Sequence, residues 1–267
     1  MTNGAADGGI VESAGGVLRI TIDRPERKGS IDVSAVRRIV DALEAASTDD
    51  TLRVVLLSST GDDFCTGSDW VAANASGEKP RTGSVQRRVP LQAHRIIDLL
   101  FEIQLPVVAA VRGWAAGLGC QIALAADFAL AADDSRFWLP FVKRGFTPDS
   151  GATWLLPRLI GVARAKELLL LGRAVSGADA AEWGMIHKSV PGAELAGAVD
   201  SLIDELRVGA TVALGLTKHC INGALDGSLT EAMEREAMAI ELSSRSADFR
   251  EGLSAFGDRR DPTFEGH

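Results

Sequence analysis

Apolar residues in this chain fall into short strand-like runs, separated and then followed by segments of helical period. Val17–Ile22 (VLRITI) alternates and is rich in β-branched residues, which predicts a strand that Arg24-Pro25 ends. From Asp32, a favoured N-cap, Val36, Ile39, Val40 and Leu43 share one face and predict a helix to about Ala46. Arg53–Ser59 (RVVLLSS) and Val107–Val111 are continuous apolar runs, as expected of parallel strands buried on both faces. Leu91–Phe101 reads as a helix. From Ala163 onward the period is almost wholly helical, over 163–171, 177–183, 194–206, 211–224, 229–243 and 247–256. Strands alternating with helices predict an α/β fold with right-handed crossovers and a mostly parallel sheet. The expected division is a disordered N-terminus over 1–9, an α/β core over 10–200 and a helical C-terminal region over 201–267. The polar stretch Ala72–Arg88, with its Gly, Pro and Ser residues, predicts a surface loop beside any pocket.

Composition narrows the function classes. The chain has 267 residues, 46% hydrophobic and 24% charged, ordinary values for a soluble globular protein. A net charge of −8 and the absence of a basic run argue against nucleic acid and anionic membrane as partners. They leave room for a small basic pocket around a phosphate. Cys65, Cys120 and Cys220 are odd in number and widely spaced, so no disulfide framework or zinc pattern is expected and a cytoplasmic location suits them. The first nine residues lack the basic start and apolar run of a signal peptide. Leu105–Ala132 is the most apolar stretch, but Arg112, Gln121 and Asp127 interrupt it. Its pieces fall short of the ~20 residues that span a bilayer, so it is expected in the core.

Two glycine-bearing turns carry candidate chemistry. Gly61–Trp70 (GDDFCTGSDW) and Arg112–Gln121 (RGWAAGLGCQ) each follow a predicted strand, and the second opens an apolar helix. A helix start offers free N–H groups at its positive dipole end, and glycine admits a ligand carbonyl close to the backbone. Two such turns facing each other could give two N–H donors to one oxygen, an oxyanion hole. Taken singly, each is equally an ordinary strand-to-helix turn.

The joint pattern is more specific. IDRPERKGSID, FCTGSDW, PVVAAVRGWAAGLGCQIALAADFALA and FWLPFVKRGFTPDSGATWLLPRLIG resemble the crotonase (enoyl-CoA hydratase/isomerase) superfamily in order and spacing. The tail, LTEAMEREA and FREGLSAFGDRRDPTF, resembles it too, so the likeness covers roughly residues 10–265. It implies a spiral of repeated ββα units, a helical trimerisation region, trimers stacked as hexamers, and an acyl-CoA thioester bound as substrate. No separate cofactor is implied, since coenzyme A is part of the substrate. By position, the oxyanion-hole donors are the backbone N–H groups of Ser68 and Leu118. The family usually has Gly or Ala at the second place. Lys28 falls where many members hold the CoA phosphates, and Arg259 where a basic residue could complete a neighbour's CoA site. Lys28 is equally well read as a solvated surface lysine.

The departures bear on the reaction. The hydratases of the family use two glutamates, and here Gln121 and Phe141 stand in their places. Neither ionises near neutral pH, so water addition by a glutamate pair is not available. Gln121 lies one helical turn beyond Leu118, which predicts a place in the same pocket, hydrogen-bonding a carbonyl or water. Asp149 sits between Pro148 and a helix expected from about Ser150. Some members, ring-type enoyl-CoA isomerases and 4-chlorobenzoyl-CoA dehalogenases, carry a catalytic aspartate at this position. The bland reading is that Asp149 is a helix N-cap. His94 matches a dehalogenase histidine, but the tryptophan that partners their aspartate is replaced here by Phe141. Trp138 and Phe141 are expected to line an acyl pocket suited to a flat or apolar group. Isomerisation with Asp149 as acid/base is the favoured expectation. A hydratase, an aryl-CoA dehalogenase-like enzyme and a non-catalytic acyl-CoA-binding protein are the alternatives.

Overall fold

The computed structural model describes residues 9–68 and 81–267. The expected disorder of residues 1–8 and the expected loop over 72–80 lie outside the described residues. Gly9 already pairs with Ile22, so the order begins one residue before the predicted core.

Six strands form the main sheet: β1 (Gly9–Ala14), β2 (Val17–Ile22), β3 (Val54–Ser59), β4 (Val107–Val111), β6 (Phe128–Ala132) and β9 (Lys188–Val190), in the order β1-β2-β3-β4-β6-β9. Only the β1–β2 pair is antiparallel; β2 to β9 pair in parallel. The continuous apolar run of β3 is explained by burial on both faces. Val55 and Leu57 join the larger core, while Val54 and Leu56 face a second cluster. That second cluster is closed by Leu195, Val199, Ile203 and Leu206 from the helix Leu195–Arg207. This helix crosses position 200 and lies on the sheet.

A smaller sheet has the order β5 (Trp114–Ala116), β7 (Arg136–Trp138), β8 (Ala174–Ser176). Each of its strands has three residues, too few to show a period. The chain therefore climbs as β4-β5-helix, β6-β7-helix and β8-helix-β9, a spiral of ββα units.

The helices in chain order are α1 (Val33–Ala46), α2 (Ser84–Arg88), α3 (Ala93–Glu102), α4 (Leu118–Ala125), α5 (Ala152–Leu171), α6 (Gly177–Glu182), α7 (Leu195–Arg207), α8 (Thr211–Ala224), α9 (Leu229–Ser243) and α10 (Ala247–Asp258). Asp32 caps α1 as expected, its carboxylate accepting from Ala35 N at 2.9 Å. α2 falls within the stretch expected to be a loop, a correction at its C-terminal end. α5 breaks at Gly161, whose φ of 74° is not helical. α8 is tied to the body by Lys218, which donates to Asp127 Oδ2 at 2.7 Å and to Leu105 O at 3.2 Å. Asp127 in turn accepts from Val107 N at 2.7 Å, so one carboxylate joins α8 to the start of β4. No helix among the described residues is long and apolar enough to cross a membrane.

Candidate active site

The two glycine turns meet through hydrogen bonds that run from turn to strand. Phe64 N donates to Arg112 O (2.8 Å), Cys65 N to Trp114 O (3.0 Å) and Ala116 N to Cys65 O (2.8 Å). This ladder brings Gly67, with φ 88°, against the turn that starts α4. Gly117 N donates to Trp138 O at 2.8 Å, fixing that turn from its other side. Leu118 is the first residue of α4, so its N–H has no partner one turn back. Among the described residues, neither Ser68 N nor Leu118 N has an acceptor. Both residues line one small cavity with Thr66, Gly67, Phe141 and Asp149. Its volume of about 30 Å³ has room for an oxygen-sized group. Two convergent donors without acceptors are what a developing oxyanion needs. The bulk of Leu118 is accommodated because its side chain is 4% exposed and packs in the larger core.

A second cavity of about 770 Å³ opens beside the first, lined by Val85, Gln86, Val89, Pro90, His94, Arg144, Phe146, Thr147 and Asp149. Asp149, Arg144 and Phe146 line both. Asp149 is the one carboxylate among the described residues lining either cavity. Its placement is not that of a helix cap. The N-cap of α5 is Gly151, and no side chain caps it. Two consecutive residues with positive φ, Ser150 (45°) and Gly151 (81°), delay the helix to Ala152 and leave Asp149 in the cavity wall. For Ser150, which carries a Cβ, that conformation costs on the order of 1–3 kcal/mol and persists only where the surroundings hold it.

Two side chains hold it. The Gln121 side-chain amide donates through Nε2 to Asp149 O. Ser150 N donates to His94 Nε2 at 3.3 Å. Gln121 is fully buried on α4 and lines neither cavity, so its expected place among the acyl-pocket residues is corrected. The reason is geometric: the side chain is spent on a backbone carbonyl 28 positions away in sequence. His94, expected only from resemblance, does reach the larger cavity.

Phe141 lines the small cavity and packs edge-on against Phe146, with ring centroids 5.5 Å apart. Trp138 is corrected out of the acyl pocket. Its Nε1 donates to Gly172 O at 2.9 Å and its ring packs against Trp114 at 5.6 Å, where it braces the smaller sheet. Lys28 is exposed and adopts φ 53° at the end of a short 3-10 turn. Its carbonyl accepts from Thr66 N (3.2 Å) and Thr66 Oγ1 (3.0 Å), which ties it to a residue lining the small cavity. Arg259 ends α10 in an exposed left-handed cap and lines neither cavity.

Sequence reasoning missed Arg144 and Phe146. The available signal was KRGF, a glycine turn directly after the Phe141 position; Gly145 indeed takes φ 79° and turns both side chains toward the cavities. Cys65 lies in the first turn but is not a nucleophile. Burial pushes its thiol up to about 12, against the opposing hydrogen bond from Gly67 N, so it stays protonated at neutral pH. No group of His, Cys, Asp and Glu among the described residues is arranged to hold a metal ion.

A spiral of ββα units whose two glycine turns converge on one small cavity defines the class of this protein. A family model described as enoyl-CoA hydratase/isomerase matches residues 12–267, and the chain belongs to that family, within the crotonase superfamily. It is 39% identical over 254 residues to the 1,2-epoxyphenylacetyl-CoA isomerase of Escherichia coli, covering 94% of this chain and 95% of that protein. It is 30% identical over 258 residues to the crotonyl-CoA hydratase of Syntrophomonas wolfei, covering 96% of each. The enoyl-CoA hydratase structure from Bacillus anthracis superposes with a TM-score of 0.90 at 28% identity, over 98% of this chain and all of that one. These relatives divide between isomerase and hydratase names.

Proposed function

We propose that this protein is an acyl-CoA isomerase that moves a carbon–carbon double bond by one proton transfer out and one proton transfer back, with Asp149 as the shuttle. The observation that carries the reading is that Asp149 is, among the described residues, the one carboxylate lining both the small cavity and the adjoining larger cavity. A thioester oxygen accepting from Ser68 N and Leu118 N makes the neighbouring C2–H acidic. In a 3-enoyl thioester, the Asp149 carboxylate takes the C2 proton. The electron pair moves into the thioester carbonyl, giving a dienolate held by the two N–H groups. The same carboxyl group returns the proton to C4, and the double bond ends between C2 and C3. Atoms and electrons balance, and no second acid or base is required.

Gln121 and Phe141 support this reading by what they cannot do, since neither can activate or protonate a water-derived group. The apolar walls contributed by Val85, Val89, Pro90 and Phe146 suit a flat or hydrocarbon acyl group. The 39% identity to a 1,2-epoxyphenylacetyl-CoA isomerase points the same way. Lys28, beside the Thr66 turn, supplies a cation for the CoA phosphates.

The test is incubation with a panel of 3-enoyl-, 2-enoyl- and aryl-CoA thioesters, read by mass and by double-bond position, with wild type and Asp149→Asn. Unchanged mass with a shifted double bond in wild type, and a rate lowered by at least about 100-fold in Asp149→Asn, is expected. Full activity of Asp149→Asn, or gain of water as the main reaction, would overturn the reading.

A further inference from the structure

We propose that Gln121 and His94 are positioning residues that clamp the 149–150 peptide from its two ends, and that the clamp works only while His94 is neutral. The proposal rests on the reading of Asp149 as the proton shuttle. The peptide's carbonyl accepts from Gln121 Nε2 and its N–H donates to His94 Nε2 at 3.3 Å. The two clamping side chains come from different helices, α4 and α3, which pack together in the core. The clamped link is the unusual one. Ser150 has φ 45°, is 3% exposed and is followed by a second left-handed residue, Gly151. A left-handed residue with a Cβ persists only where its surroundings hold it, and these two hydrogen bonds hold the peptide that leads into it. Relaxation would swing the Asp149 side chain, since it shares this backbone, away from the wall common to the two cavities.

Gln121 is chemically matched to this task. A glutamate at 121 would set a carboxylate against the Asp149 carbonyl, two acceptors facing each other. The carboxamide brings an N–H to the same point. The residue that removes hydratase chemistry from α4 is thus the residue that steadies the remaining carboxylate.

His94 adds a condition. To accept from Ser150 N, Nε2 must be unprotonated, with the ring proton on Nδ1. An imidazolium has no acceptor, and the buried Ser150 N–H would lose its partner. Among the described residues, the charged groups sharing the cavity with His94 are Asp149 and Arg144. Facing it, α2 contributes Val85 and Gln86, which do not titrate. On its own helix, Arg95 is paired with Glu44 and Glu102, and Asp98 is exposed.

The test uses His94→Phe, His94→Gln, Gln121→Met and Asp149→Asn in the full chain. His94→Phe and Gln121→Met should lower kcat by about 10- to 100-fold with KM changed by less than about threefold, because positioning acts on the reacting geometry. His94→Gln keeps an acceptor for Ser150 N and should recover to within about threefold of wild type. Wild type should lose kcat on the acid side as imidazole protonates, and His94→Gln should lack that limb. The Ser150 amide proton, followed by NMR, should move with the same titration in wild type and stay flat in His94→Gln. This readout needs no turnover, and the dispersion of the other amide signals in the same spectra shows that the variant is folded. Wild-type kcat in His94→Phe and Gln121→Met, or a wild-type Ser150 amide that ignores pH, overturns the clamp. So does a His94→Gln enzyme as slow as His94→Phe, since the imidazole would then act chemically itself. Full activity in Asp149→Asn with a titrating Ser150 amide would instead sink the proton-shuttle reading and leave the clamp standing.

Discussion

Gly67 and Leu118 meet through backbone alone: a Cβ placed on Gly67 would lie 3.1 Å from Leu118 N and 2.8 Å from Ala116 O. The residue also takes φ 88°, which a side chain resists. Its lack of a side chain is what lets the turns that carry Ser68 and Leu118 close on one cavity. Gly67→Ala should therefore widen the anion hole. Loss of one well-placed donor costs about 10²–10³ in kcat, and the expected drop is of that size. Turnover on the best acyl-CoA measures it. A Gly67→Ala enzyme with wild-type kcat would show that these two N–H groups do not stabilise the reacting oxygen.

Hydration of crotonyl-CoA should be slow or absent. Phe141 lines the small cavity with a phenyl ring, and Gln121 is committed to the Asp149 carbonyl. Each absent acid/base group costs about 10²–10⁴ in rate. Loss of absorbance of the conjugated thioester measures the reaction. A turnover of about 10 per second or more would mean that Asp149 activates water unaided.

Much of this arrangement could be read from the chain, and the unread part has definite causes. The strands at 17–22, 54–59 and 107–111 carry enough residues for period and branching to show. β5, β7 and β8, at three residues each, do not, although they build the smaller sheet that positions Gly117. Ser68, Leu118 and Asp149 line one cavity, each in or directly after a turn between regular elements. The roles of Gln121 and Trp138 were not legible. Helical spacing told only that Gln121 shares a face with Leu118; which carbonyl crosses that face depends on how α5 begins. That start depends in turn on Ser150 adopting a left-handed conformation, which its residue type does not announce. Likewise the Trp138 N–H finds Gly172 O, 34 positions on, and no local pattern marks that pairing.

The C-terminal segment should loosen in acid. Glu251 accepts from Arg260 at 2.6 and 2.9 Å and from Thr263 N at 2.8 Å. The Arg260 hydrogen bonds, then the Thr263 bond, hold its carboxyl down to about 2, against an ordinary value of 4.5. A depressed carboxylate contributes stability that is present above its unfolded value and lost as pH falls through the folded one. Exchange protection of the Thr263 amide should accordingly fall between about pH 4.5 and pH 2. Asp248, which accepts from Glu265 N and Gly266 N, grips the same segment, so the variant decides the source. Glu251→Gln should have weak protection at neutral pH and no acid step at Thr263. An unchanged acid step in Glu251→Gln would show that Glu251 is not its source.

The C-terminal helices should be covered by other copies of the chain. α9 has no buried residue, yet it exposes Leu229, Met233, Met238, Ile240 and Leu242. Its formation is locally secured by a capping box, with Ser228 and Glu231 each bonding the other's backbone N–H. α10 adds Phe249, Leu253 and Phe256, spaced to share one face, with Phe256 86% exposed. Two well-capped helices that expose this many large apolar side chains favour association. Since the same face exists on every copy, a closed ring of identical chains can satisfy it. Light scattering at micromolar concentration should give a multiple of the 28.1 kDa chain, with three or six copies expected. Phe256→Glu would place a charge at the most exposed point of the face and should shift the mass toward the monomer. Wild-type protein that is monomeric at that concentration, or a Phe256→Glu variant with unchanged mass, would show that these helices are not the assembly surface.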